Sequence, residues 1–266
     1  MLQQYLLIIW QWMSTVFIKM LVVWCAATLL SVLWTRSEKT RGKDDVFASP
    51  RREGILSLFV MLGILALLFV LQLLQLPEDA SFLTRGLLLT GTSLLMCLPI
   101  VVIAKIRQQG SVTVGVSREN LPAALTLGIV LALATIILFA AITLLGKGTL
   151  APKSPVTPQR LLYLITTFTI SAFAHEFIYR GYLQTRLVAW GGTVKGLLAS
   201  ALIYALWHWP KFIQAGFNGM TMAVQFIALF ALGLALGIIY HRSRSIIPAA
   251  LFHASNDLAQ TLWSMA

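Results

Sequence analysis

Eight stretches of about twenty mostly apolar residues follow one another along the chain, each long enough to cross a bilayer core as a helix. They run over 13–34, 54–76, 86–104, 121–145, 161–187, 194–216, 220–240 and 246–265. Lipid offers no hydrogen-bond partner to an exposed backbone, so continuous apolar segments of this length must fold as helices. The expected fold is therefore all-α: a polytopic membrane bundle of about eight transmembrane helices. No period of 20–50 residues repeats, which argues for one integral membrane domain. Composition agrees. The 266 residues are 58% hydrophobic and 11% charged, against about 45–50% and 25% in soluble domains. That balance excludes a disordered chain and an ordinary soluble enzyme.

The net charge of +11 arises from scarce acid, 9 Asp and Glu against 20 Lys and Arg. This is the balance of a membrane protein with basic loops rather than of a nucleic-acid binder, so the expected partner is the bilayer and no nucleic acid. The segments 35–53, 105–120, 186–195 and 241–245 carry thirteen Lys and Arg. Their counterparts at the other helix ends carry five: Arg85, Lys147, Lys153, Arg160 and Lys211. By the positive-inside rule the richer side is cytoplasmic and both termini face outward. The expected location is an integral membrane protein, multi-pass, of a bacterial inner membrane.

With only nine acids, each can be placed. Glu38, Asp44, Asp45, Glu53, Glu78, Asp79 and Glu119 fall in loops; Glu176 and Asp257 fall inside spans. Lys19 and Arg180 are the only bases read as lying within spans, and Lys19 can snorkel to an interface. Charge inside a membrane costs roughly 2.5–3.5 kcal/mol per residue on insertion scales and by default marks function. Three of the four histidines, His175, His208 and His253, lie mid-span in the fifth, sixth and eighth helices.

Spacing turns these residues into a constellation. Glu176 and Arg180 are four apart and share a helix face, as an ion pair would; His175 is turned about 100° away. Tyr204 and His208 are also four apart, and so are His253 and Asp257. Each helix thus offers two groups to a common polar cavity, expected nearer the cytoplasmic half and open to the cytoplasm. Tyr204 and Trp207 are candidates to shape a substrate groove beside it. Gly233 and Gly237 form a small-residue face suited to packing against another helix of the same bundle.

The three segments resemble the motifs of the CAAX protease and bacteriocin-processing (CPBP, or Abi) family of intramembrane proteases. That pattern is E-E-x-x-x-R, F-x-x-x-H and H-x-x-x-N/D. Here it reads His175-Glu176-x-x-x-Arg180, Tyr204-x-x-x-His208 and His253-x-x-x-Asp257. The resemblance divides the chain into 1–120, transmembrane helices without motif, and 121–266, a core carrying the motifs. It implies an intramembrane endopeptidase. The bond cut would lie in a membrane-embedded or lipidated protein or peptide, in processing of CAAX, sorting-tag or bacteriocin type.

It also implies catalytic roles for Glu176, His208, His253 and Asp257, with Arg180 as the structural partner of Glu176. His175 departs from the pattern by standing where the principal catalytic Glu stands. Three mechanisms follow. Glu176 or His175 acts as general base with His208; or His175, His208 and His253 hold a divalent metal such as zinc, with Glu176 as base; or hydrolysis is lost and the protein is a membrane scaffold or regulator. A proton-coupled transporter relaying through Glu176 and Asp257 is the remaining class, disfavoured by the absence of internal repeats. An ionised Asp257 cannot donate to an oxyanion, so it either carries a proton or orients His253.

Overall fold

The computed structural model describes residues 17–35, 47–73, 82–117, 120–152, 155–214 and 216–263. Glu38, Asp44, Asp45, Glu78, Asp79 and Glu119 lie outside the described residues, as does most of the first basic loop. The helices in chain order are α1 (Ile18–Trp34), α2 (Pro50–Leu73), α3 (Phe82–Ile106), α4 (Leu121–Lys147) and α5 (Pro158–Gly191). There follow α6 (Thr193–Trp207), the short α7 (Trp209–Gln214), α8 (Gly219–Ser243) and α9 (Ile246–Leu262). Among the described residues there is no strand. Each predicted span except 194–216, which divides between α6 and α7, corresponds to one helix over its described residues, and α2, α3, α4, α5 and α8 are long and apolar enough to cross a membrane.

The ends are punctuated as the residues dictate. Thr157 accepts from the Arg160 N–H ahead of Pro158, and Asn218 accepts from the Thr221 N–H at 2.9 Å. Gly148 closes α4 at φ +69°. Gly192, at φ +82°, lets α5 reverse directly into α6. α8 packs on α6 through its small residues: a Cβ on Gly233 would lie 3.2 Å from Ala201. The small-residue face is thus used inside the bundle.

Two ends of the bundle can be told apart by their contacts. At one, the Ile246 N–H donates to the Gly115 carbonyl (3.0 Å), Asn120 donates to the Ser243 carbonyl (3.0 Å) and Arg242 donates to Thr35 (3.1 Å). These are the segments the charge count places on one side. At the other, the Trp263 indole donates to the Leu150 carbonyl (3.0 Å) and the Lys19 ammonium lies against the last turn of α4 at Gly146. A cation there faces the negative end of the α4 dipole.

One placement departs from the sequence reading. Glu53 and Arg186, read as loop or helix-end residues, are 3% and 0% exposed. Glu53 pairs with Arg107 and with the Arg186 guanidinium at 3.4 Å. Arg186 also donates to Gln109 (2.6 Å) and the Thr113 carbonyl (3.2 Å), and stacks 3.9 Å from the Tyr182 ring centroid. Loop residues around 107–113 fold back over the helix ends, so a charge that hydropathy assigns to water is covered.

Two outcomes are expected. Glu53→Ala leaves two arginines without their carboxylate, and removing one partner of a buried pair costs about 3–5 kcal/mol; thermal unfolding in detergent should show a large loss of stability. Single cysteines at Gly110 and Gly148, in a background without Cys25 and Cys97, should react with an impermeant maleimide from opposite membrane faces.

Candidate active site

The site is built on an irregular helix. α5 begins as an α-helix, Pro158–Glu176, passes into eight residues of π-helix, Phe177–Gln184, and ends as α-helix from Thr185. π segments are rare and collect at functional sites. Glu176 sits at the junction and Arg180 within the π segment. Both are fully buried, and Arg180 Nε donates to Glu176 Oε2 at 3.2 Å, the ion pair expected from their spacing. Arg180 also donates to Ser200 Oγ of α6 (3.2 Å) and stands 5.1 Å over the Tyr204 ring. Ser200 in turn donates to the Tyr179 carbonyl at 3.3 Å, tying α6 to the π segment.

The second carboxylate oxygen belongs to α9. Glu176 Oε1 lies 2.8 Å from His253 Nδ1. A carboxylate already neutralised by Arg180 is an acceptor only, so Nδ1 carries the hydrogen and donates. His253 Nε2 then faces the Tyr204 hydroxyl at 3.4 Å and Asp257 Oδ2 at 3.6 Å. His253 and Asp257 thus share a face as predicted, with the Asp257 side chain 37% exposed and His253 nearly buried.

His208 is held differently. The expected single span over 194–216 breaks here: α6 ends at Trp207, His208 takes its C-cap, and α7 starts at Trp209. α6 has 15 residues. That is about 22 Å of helix against a core of roughly 30 Å, so α6 alone does not span it. Pro210 at the start of α7 lacks the N–H that would continue the ladder. Such irregular backbone is stable at membrane depth only where protein or a water-filled cavity covers it. His208 Nδ1 lies 2.9 Å from the Tyr204 carbonyl. A carbonyl can only accept, so Nδ1 carries the hydrogen and Nε2 keeps a free lone pair.

A cavity of about 400 Å³ joins these groups; His175, Tyr204, His208, His253 and Asp257 all line it, whereas Glu176 stands behind His253 and does not. His175 makes ring contacts with His253 (centroids 5.9 Å apart) and Tyr179 (6.3 Å). The turn between 175 and 176 that puts Glu176 on the arginine therefore puts His175 on the cavity.

Three placements bear on the expectations from sequence. Trp207 does not line this cavity; it packs on Tyr179 and borders a separate apolar groove against α2, because 204 and 208 share one helix face and 207 lies off it. The three histidines do not assemble as a metal-ligand set: no three or more His, Cys, Asp or Glu side chains converge for a metal among the described residues. Nδ1 of His253 is held by Glu176 and Nδ1 of His208 by a carbonyl, which leaves each ring its Nε2. Finally, the cavity extends away from the basic loops. Met20, Leu89, Lys211, Gln225 and Gln260 line it, each near the helix end opposite the Glu53–Arg186 cluster. The sequence estimate of depth counted His208 as mid-span, and the break places it at a helix end.

Other participants carried no motif signal. Ser200 and Tyr179 brace Arg180, and Trp24 of α1 and Asn256 of α9 line the cavity. Only adjacency to Asp257 could have drawn attention to Asn256.

Comparison with known proteins adds one match. Residues 157–259 fit the family model described as type II CAAX prenyl endopeptidase Rce1-like. No curated protein and no solved structure matches the chain. The matched stretch runs from the cap of α5 into α9, contains all three motifs and leaves α1 to α4 outside. By this match and by its motifs, the site-bearing C-terminal region is similar to the type II CAAX prenyl endopeptidases, in agreement with the CPBP resemblance of the sequence.

Proposed function

We propose that the protein is an active intramembrane endopeptidase that hydrolyses a peptide bond in a membrane-embedded or lipidated protein or peptide. The observation that carries this reading is His208: a ring with Nδ1 pinned to a backbone carbonyl and Nε2 free, on the wall of a cavity shared with His175 and His253. That is the state a general base requires. Water in the cavity gives a proton to His208 Nε2 and attacks the substrate carbonyl carbon. His175, in the position of the family's first Glu, is the second group able to accept that proton. The oxyanion then needs donors. The Tyr204 hydroxyl supplies one, and His253 supplies the second through Nε2–H in its doubly protonated form, with Nδ1–H held on Glu176 from behind. His208 returns its proton to the leaving amine. Asp257, an acceptor when ionised, serves to orient His253 rather than to donate.

In this reading Glu176 and Arg180 act as a support. Their family counterparts are an acid pair and an arginine; here the cavity-facing member of the pair has become an imidazole, which like a carboxylate carries a lone pair that can take a proton. The family acts on membrane-associated prenylated proteins, and a substrate of that physical type could enter the bundle from the bilayer. With the basic loops in the cytoplasm, the cavity would open to the opposite face.

Wild type, His175→Ala, His208→Ala and Glu176→Gln, expressed at equal levels, should be compared by mass spectrometry of membrane peptides, with metal content measured on the same preparations. His208→Ala should lower formation of a specific product about 10²–10⁴-fold, the range for loss of a general base. His175→Glu, which restores the family pattern, should retain activity. Products identical to those of empty membranes would instead leave a non-catalytic scaffold, and a stoichiometric metal lost with His175 would select the metal mechanism. Arg180→Ala should reduce abundance as well as activity, because it strands Glu176 without its cation; a well-expressed inactive Arg180→Ala would assign the arginine a direct role.

A further inference from the structure

We infer that Trp24, on a helix outside the family match, is a positioning residue of this site: its indole N–H fixes the Asn256 amide, and through it the Asp257 carboxylate beside His253. This rests on the peptidase reading above. Trp24 Nε1 lies 3.0 Å from Asn256 Oδ1, a buried contact across 232 residues of sequence. An indole N–H can only donate. The atom it meets must therefore be the amide oxygen, and the amide nitrogen is turned the other way. That nitrogen donates to Asp257 Oδ1 at 3.3 Å. The other Asp257 oxygen is the one facing His253 Nε2 at 3.6 Å.

The indole is what makes this orientation the stable one. Asn256 is 0% and Trp24 2% exposed, so neither has water as an alternative partner. If the amide flipped, its oxygen would oppose the Asp257 carboxylate, which cannot donate when ionised, while its nitrogen would meet the indole donor. Both contacts would then be wrong. Asp257 itself is partly exposed and is held by this single amide on one side. α1 thereby sets the carboxylate that orients the α9 histidine, and the chain from α1 to α5 is continuous: Trp24, Asn256, Asp257, His253, Glu176, Arg180. A packing role alone would need only the ring.

The test uses the full-length protein in lipid nanodiscs and the membrane peptide whose His208-dependent product the mass-spectrometric comparison detects. Trp24→Phe keeps an aromatic ring and removes the donor. Asn256→Leu removes the amide at similar volume and reads the same link if Trp24→Phe folds poorly. Each should lower kcat about tenfold with KM little changed, as misplacement of a catalytic group does, and the double variant should be no worse than Asn256→Leu alone. Wild-type kcat in both variants, or losses that multiply in the double variant, would overturn the inference. A second readout does not need turnover: carbodiimide modification of Asp257, followed by peptide mass mapping. Its rate should rise about threefold in each variant, within what the loss of one ordinary hydrogen bond allows, while Glu53 is unaltered. An unchanged Asp257 rate would refute the link. A wild-type protein that cleaves nothing would remove the peptidase reading and leave the Asp257 rates to decide the positioning role.

Discussion

One buried carboxylate organises the C-terminal half of this bundle. Glu176 is fully buried and shares its two oxygens between Arg180, on its own helix, and His253, on α9. A carboxylate removed from water is tolerated only when a cation and further donors replace the lost hydration. Each replacement here belongs to a different part of the fold. Arg180 requires Ser200 of α6, and its guanidinium lies over Tyr204 of the same helix. His253 requires α9 to pass at hydrogen-bond distance from α5. Three helices are therefore held in register by the needs of one ion, and the groups facing the cavity inherit that register.

The structure separates two roles that the sequence pattern writes as neighbours. His175 and Glu176 are adjacent in the chain, and a turn of about 100° puts one on the cavity and the other on the arginine. Substituting His for an acid at the arginine-facing position would leave Arg180 without its anion and strand a buried charge. At the cavity-facing position the same substitution leaves the Glu176–Arg180 pair intact. The departure from the family pattern thus falls at the position that does not hold the arginine.

What could be read from the sequence divides along physical lines. The helices were legible because apolar runs of bilayer length have one solution, and the pairs Glu176–Arg180 and His253–Asp257 because four-residue spacing is a local property of one helix. The His208 break was hidden: Pro210 signals a break, but the apolar run 194–216 continues through it. Trp207 lines a different groove from His208, because nearness in sequence is not nearness in space. Glu53, Arg186, Trp24 and Asn256 were missed for another reason. Their partners lie on other helices or in distant loops, and a contact such as Trp24–Asn256 leaves no periodicity in the chain. A boundary at residue 120 follows the motifs, whereas the hydrogen bonds of the site begin at α1.

Two departures from regular helix meet at the cavity: the π segment that starts at Phe177 and the end of α6 at His208. Each loosens the ordered ladder of backbone hydrogen bonds at a depth where lipid offers no replacement, so each is stable only beside other protein groups or water. Hydrolysis has the same requirement, since a dry core holds no nucleophile. Residues His175 and Glu176 immediately precede one irregularity, and His208 forms the other. The place where this bundle is least regular is thus also the place where the proposed hydrolysis would hold its water.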